Sequence, residues 1–138
     1  MSLSIQMRAE SAVLYVIATG SFSLKGALDR FVEMLEEVDR NQSRKVLADG
    51  RTVTGNPRTI ERFLYGEFAA NAVSRYMVEG VLRHAPQFAY VLHEPVLDPS
   101  RFAETVAVNR GMWIKAFDNM QDARSWLGLS ATADAGEP

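Results

Sequence analysis

Short apolar runs of strand length alternate along this chain with longer segments whose apolar residues recur every three or four positions. That alternation constrains the fold more than any other feature of the sequence. Ala12–Ala18, Val46–Ala48, Phe88–Leu92 and Met112–Phe117 are too short for buried helices, and most are β-branched or aromatic, so they read as buried strands. Between the first two, Leu24, Ala27, Leu28, Phe31, Val32, Leu35 and Val38 form one stripe of an amphipathic helix. Ser21 or Ser23 can cap its start, and Asn41 lies just past its end. Asn56 as N-cap and Pro57 as first residue predict a second helix to about Tyr76, with Ile60, Phe63, Leu64, Phe68, Ala72 and Tyr76 inward. A third is expected from Asp98-Pro99 to Arg110-Gly111, burying Phe102, Ala103, Val106 and Ala107. Asp118 is the expected cap of a last short helix that packs Ala123, Trp126 and Leu127 and ends at Gly128. Upstream, Ser4 to Ala9 alternates Ile5, Met7 and Ala9 with polar residues, an edge strand joined by a Glu10-Ser11 turn. Parallel strands need helical crossovers, and these are right-handed. The expectation is therefore an α/β single-domain fold: a mixed, mostly parallel sheet of about five strands with an N-terminal antiparallel hairpin and about four helices.

The chain has 138 residues, enough for one core without a disulfide or metal. The domain is expected to close near residue 129, because 130–138 holds no apolar side chain larger than alanine and reads as a disordered tail. Fifteen basic against 17 acidic residues leave a net charge of −2, which argues against the broad basic face that nucleic-acid binding needs, though not against a small anion site. The lack of cysteine excludes disulfides, thiolate catalysis and cysteine-ligated metal. No apolar stretch approaches the ~20 residues that span a bilayer, and a cytoplasmic location is expected.

The C-terminal part carries a family resemblance. Phe102-Ala103-Glu104-Thr105-Val106-Ala107-Val108-Asn109-Arg110-Gly111, a strand, then Phe117-Asp118 and Ala123-Arg124-Ser125-Trp126-Leu127 resemble the SpoIIAA-like group of STAS domains. That group has the anti-sigma-factor-antagonist fold and is related to the CRAL-TRIO lipid-transfer fold. In element order the resemblance covers nearly the whole chain. It implies a non-enzymatic regulatory module with a protein partner, and its phospho-switch members carry a serine after a central strand. The matching loop here departs from that pattern, offering Thr52 and Thr54 as hydroxyls and no serine.

Two regions are candidates for function. The loop from Asp49 to Arg58 leaves a strand end and enters a helix N-terminus, where amides and the helix dipole favour an anion. Gly50 and Gly55 allow close approach, Thr52 and Thr54 supply hydroxyls that are also candidate phospho-acceptors, and Asp49, Arg51 and Arg58 supply charge. The second helix is rich in Phe63, Tyr65, Phe68, Tyr76 and Met77, and Tyr65 falls off its main stripe. A second apolar face predicts a ligand groove or a dimer contact. His93-Glu94 point to opposite faces of an extended strand, so an acid/base pair is not expected there. His84 lies near a helix end, two histidines so spaced make no metal motif, and neither metal nor cofactor is expected. Glu104, Asn109 and Arg110 read as helix-end residues, and Glu67 as a flank carboxylate reaching solvent. The leading expectation is a regulatory module that meets a protein partner, a second copy of itself, or an anion at Asp49–Arg58. The alternative is a carrier with a small apolar or lipid-like ligand between helix 57–77 and the sheet. A hydrolase using His93 is a distant third.

Overall fold

The computed structural model describes residues 1–130, so the tail expected over 130–138 lies outside the described residues from 131 onward. In chain order the elements are β1 (Ser4–Glu10), β2 (Val13–Thr19), α1 (Leu24–Asn41), β3 (Lys45–Asp49), α2 (Thr59–Val78), β4 (Gln87–Val91), α3 (Phe102–Asn109), β5 (Trp113–Phe117) and α4 (Met120–Leu127). The sheet order is β1-β2-β3-β4-β5, antiparallel between β1 and β2 and parallel elsewhere. This is the expected α/β architecture.

Strands that advance across a sheet in one direction, joined by right-handed crossovers, place every connecting helix on the same face. The core follows that rule. Leu14, Val16, Val46, Ala48 and Phe88 pack against Phe31, Leu35, Ala69, Val73 and Ala107 of α1, α2 and α3. The side chains between them in sequence, Leu47, Ala89 and Val91, point the other way and meet Ala123 and Leu127 of α4. One face thus carries three helices and the other only one. Ile17 and Trp113, on the thinly covered face, are 49% and 53% exposed.

The last helix is anchored by polar groups that sequence patterning missed. Arg124 is 2% exposed and donates to the Ser130 carbonyl from Nε (3.3 Å) and Nη2 (3.1 Å). Gln87 Nε2 donates to the Trp126 carbonyl at 3.1 Å, and Lys45 Nζ donates to that of Leu127. Carbonyls at a helix C-terminus lack intrahelical partners, and Gln87 and Lys45 supply them at Trp126 and Leu127.

Several boundaries differ from expectation. The hairpin turn is Ser11-Ala12, with φ of 53° and 64°, not Glu10-Ser11. Two consecutive left-handed residues give the turn whose twist matches the strands, so Glu10 is freed to pair with Val13. Asn41 ends α1 rather than following it, and Gln42 takes the left-handed cap. Asn56 and Pro57 belong to the loop: α2 begins at Thr59, where the Glu61 carboxylate accepts the Arg58 amide at 2.8 Å. Asp98 does cap α3, but from a distance. Its carboxylate accepts the amides of Ser100 (3.1 Å) and Phe102 (3.0 Å), so the helix starts three residues after Pro99. Asn119, not Asp118, caps α4 through the Asp122 amide at 2.9 Å.

The largest revision concerns the face of α2. Its buried residues are Gly66, Ala69, Ala70, Ala72 and Val73, whereas Ile60 and Leu64, expected inside, are 53% and 36% exposed. The helix is wedged between α1 and α3, so small residues lie where backbones approach and aromatics lie around them. Gly66 marks the closest approach: a Cβ there would stand 2.5 Å from the Ala103 carbonyl oxygen of α3.

Alanine normally favours a helix interior by about 1 kcal/mol over glycine. At this contact the backbone cannot yield as a flexible side chain would. Gly66→Ala is therefore expected to lower stability by about 1–3 kcal/mol in urea denaturation. A neutral or stabilising result would contradict this packing.

Candidate functional site

Between the three-helix layer and the sheet lies an almost entirely apolar, partly open cavity of about 170 Å³. Its floor is the strand face that carries Val16, Ala48, Tyr90 and Ile114, and its roof includes Phe31, Tyr65 and Ala69. Alanines at 18, 48, 69, 103, 107 and 116 create the space, because larger side chains at those points would fill it. The two regions singled out from the sequence meet here. Gly50, Val53 and Pro57 of the predicted anion loop line the cavity together with Tyr65 of the aromatic helix.

Tyr65 is the residue whose role the sequence pattern obscured. It is not a stray on an outer face but points beneath the helix, edge-on to Phe31 (centroids 6.0 Å apart) and Tyr90 (6.3 Å). Its hydroxyl is hydrogen-bonded to that of Tyr90. Burial pushes both phenol pKa values far above the ordinary one, and the neighbouring Tyr65 raises that of Tyr90 further. Both therefore stay protonated and neutral across the working pH range. Strand alternation alone would place Tyr90 on the helix-covered face beside Phe88. Only the fold puts Tyr65 opposite it.

The remaining aromatic candidates stand apart from the cavity lining. Phe68, Tyr76 and Met77 pack on the periphery of the main core. Phe63 lies under the Arg110 guanidinium, 5.4 Å from its ring centre.

The 49–58 loop is well ordered by its own bonds. Arg51 grips the Asp49 carboxylate through Nε (3.0 Å) and Nη2 (2.9 Å), and its amide donates to the same group at 3.1 Å. Burial opposes ionisation of Asp49, but these contacts outweigh it and His93 adds a little, so its carboxyl sits below the usual range. Thr54 is laced to the loop before α1: its amide donates to the Gly20 carbonyl (2.9 Å), and its carbonyl accepts the Phe22 amide (2.8 Å). Gly50 is buried, and a Cβ there would stand 2.8 Å from Leu92 Cδ2. Gly55 has a φ of 122°, which only glycine adopts readily, and backs onto Phe22. Thr52 is exposed and makes one long contact, 3.5 Å to the Ala18 carbonyl. Arg58 is exposed, and Glu61 already occupies the amide at the start of α2 that an anion would seek. That contact, strongest through the Arg58 backbone amide, also holds the Glu61 carboxyl below its usual range.

Other polar candidates serve the scaffold. Glu104 Oε1 accepts the Ala116 amide at 2.8 Å and ties α3 to the edge strand. Glu67 sits on the flank of α2, 3.6 Å from Arg110. His84 Nε2 lies 2.9 Å from Arg44 Nη2 rather than on helix carbonyls. His93 and Glu94 are both exposed at the end of the β4 segment. Among the described residues, no group of three or more His, Asp or Glu side chains could hold a metal ion, and no helix is long and apolar enough to cross a membrane.

No family model and no curated protein matches the chain. Among solved structures, an anti-sigma factor antagonist from Mycobacterium paratuberculosis is similar over 92% of this chain and 95% of that one, with 12% identity and a TM-score of 0.55. An uncharacterized protein of the DUF3478 family with a SpoIIAA-like fold, from Shewanella loihica PV-4, covers 91% of this chain and 94% of its own at 16% identity and a TM-score of 0.48. The fold is thus the SpoIIAA-like one that the C-terminal residues implied, and a likeness at such identity speaks of the fold alone.

The Asp49 and Asp98 carboxyls are both held below the usual range, Asp98 by its bonds to the Phe102 and Ser100 amides against the cost of burial. A depressed folded pKa adds stability that is present above the unfolded value of about 4 and is lost as pH falls through the folded one. Asp49→Asn is expected to cost about 1 kcal/mol or less at pH 7 and to flatten the loss of stability as pH falls below about 4. Urea midpoints measured across that range check this, and an unchanged acid slope would contradict it.

Proposed function

We propose that this protein is a non-enzymatic binding module of the SpoIIAA-like fold, whose cavity between α2 and the sheet takes a small apolar ligand. The cavity itself is the observation that supports this reading: about 170 Å³, bounded by alanines and aromatic rings, in a core otherwise closed by Phe31 and Phe88. A closely packed interior leaves few voids of this size. An apolar cavity of about 150 Å³ is enough to bind benzene, whereas drug-sized ligands need about 300 Å³ or more. The ligand is accordingly near the size of a single substituted ring, or the end of a longer chain whose remainder lies outside.

A second reading concerns the outer side of the same loop. Gly50, Val53 and Pro57 touch the cavity while Thr52, Thr54 and Arg58 are exposed. A cytoplasmic protein partner or a second copy of this chain meeting those residues would contact a loop whose inner side touches the ligand. Thr52, with only one long hydrogen bond, is the more accessible phospho-acceptor of the two threonines.

Titration of 15N-labelled protein with ethylbenzene tests the main reading. Amide signals of Gly50, Val53, Gly66 and Ala69 are expected to shift in a saturable manner. Ala18→Leu, which fills the partly exposed side of the cavity, is expected to abolish the shifts while leaving stability unchanged or raised by about 1 kcal/mol. Absent shifts, or shifts indifferent to Ala18→Leu, would contradict the reading.

A further inference from the structure

The polar groups inside the cavity are unbalanced. Tyr65 and Tyr90 carry two hydroxyl protons between them, and the hydrogen bond that joins them consumes one. Within the described protein neither hydroxyl has another hydrogen-bond partner, so one proton is left without an acceptor. Arg30 also lines the cavity. Its two terminal nitrogens reach the Leu3 carbonyl (3.1 Å) and the Glu33 carboxylate (2.8 Å), but its buried Nε–H has no acceptor. The acidic side chains that border the cavity do not supply one. Glu61 is engaged by Arg58, and Glu104 accepts the Ala116 amide. An apolar chamber with surplus donors is complementary to a ligand that brings an acceptor, because an unmet buried donor is costly.

We propose that the ligand of this cavity carries a carbonyl-type oxygen, held by the hydroxyl proton that the Tyr65–Tyr90 pair leaves over. The inference rests on the cavity reading given above and adds the chemistry of the ligand's polar end. The tyrosine pair acts as a fixed anchor: either hydroxyl can bond to the other and turn its own proton toward the ligand. The phenols remain protonated at all working pH values, so the donor is present whatever the pH. The body of the ligand is apolar, in keeping with the alanine and aromatic walls.

Acetophenone and α-methylstyrene have the same shape and differ in one group, a carbonyl oxygen against a methylene. Their dissociation constants are measured by amide shift titration on the wild type and on Tyr65→Phe/Tyr90→Phe. In the double variant, acetophenone is expected to lose roughly five- to tenfold in affinity relative to α-methylstyrene, the worth of one hydrogen bond. If both compounds bind and that ratio does not change, the anchor is wrong and the cavity reading stands. If neither compound binds the wild type, the cavity reading itself fails. Should the double variant not fold, the carbonyl stretching band of acetophenone bound to the wild type decides. A shift to lower frequency than in hexane supports the anchor, and a band at the hexane position overturns it.

Discussion

The close packing of α2 against α3 and α1, above the sheet, governs most of what this molecule can do. Its closest point is Gly66, against the Ala103 carbonyl, and the other buried residues of the helix, Ala69, Ala70 and Ala72, are small as well. Because they are small, the helix sits near its neighbours, and because they are small it cannot fill the space beside them. The aromatic side chains that could fill it are partly turned elsewhere: Phe63 beneath Arg110, Phe68 and Tyr76 toward the edges of the core. Tyr65 lines the cavity itself, edge-on to Phe31 and Tyr90, and ends in a hydroxyl contact with Tyr90. Close approach and incomplete filling are thus two results of one choice of residues.

The architecture was legible in the sequence because its signals are local. The apolar runs at Val46–Ala48 and Phe88–Leu92, the stripe of α1 and the glycines at 111 and 128 each reflect a few neighbouring residues and one dihedral preference. Boundaries were less legible where two grammars competed. Asn56-Pro57 has the form of a helix start, but Glu61 caps Arg58 two residues on, and Pro57 is buried in the loop instead. Arg124 shows another limit. A charged residue on a short helix reads as solvated, and only the tertiary arrangement places the Ser130 carbonyl where its guanidinium can be satisfied.

The site was half visible. The loop after β3 and the aromatic second helix each carry a sequence signal of their own, and the fold joins them around one cavity. What the sequence could not convey was the pairing of Tyr65 with Tyr90. They are 25 residues apart on different elements, and Tyr65 lies off the stripe that the larger apolar residues suggest. That stripe misled because α2 has neighbours on more than one side, so bulk does not mark its inner face. The charges of the loop, attractive as an anion site on paper, are largely matched by neighbours, Asp49 by Arg51 and Arg58 by Glu61 of α2.

Ligand binding requires that the space beneath α2 be open to an apolar guest. Diffraction from a crystal of the protein equilibrated under xenon pressure tests it most directly, since xenon enters apolar cavities of this size without demanding any particular chemistry. A strong xenon peak is expected between Phe31, Ala48 and Tyr65. A chamber closed by inward movement of α2, with no xenon in it, would rule out a ligand site there.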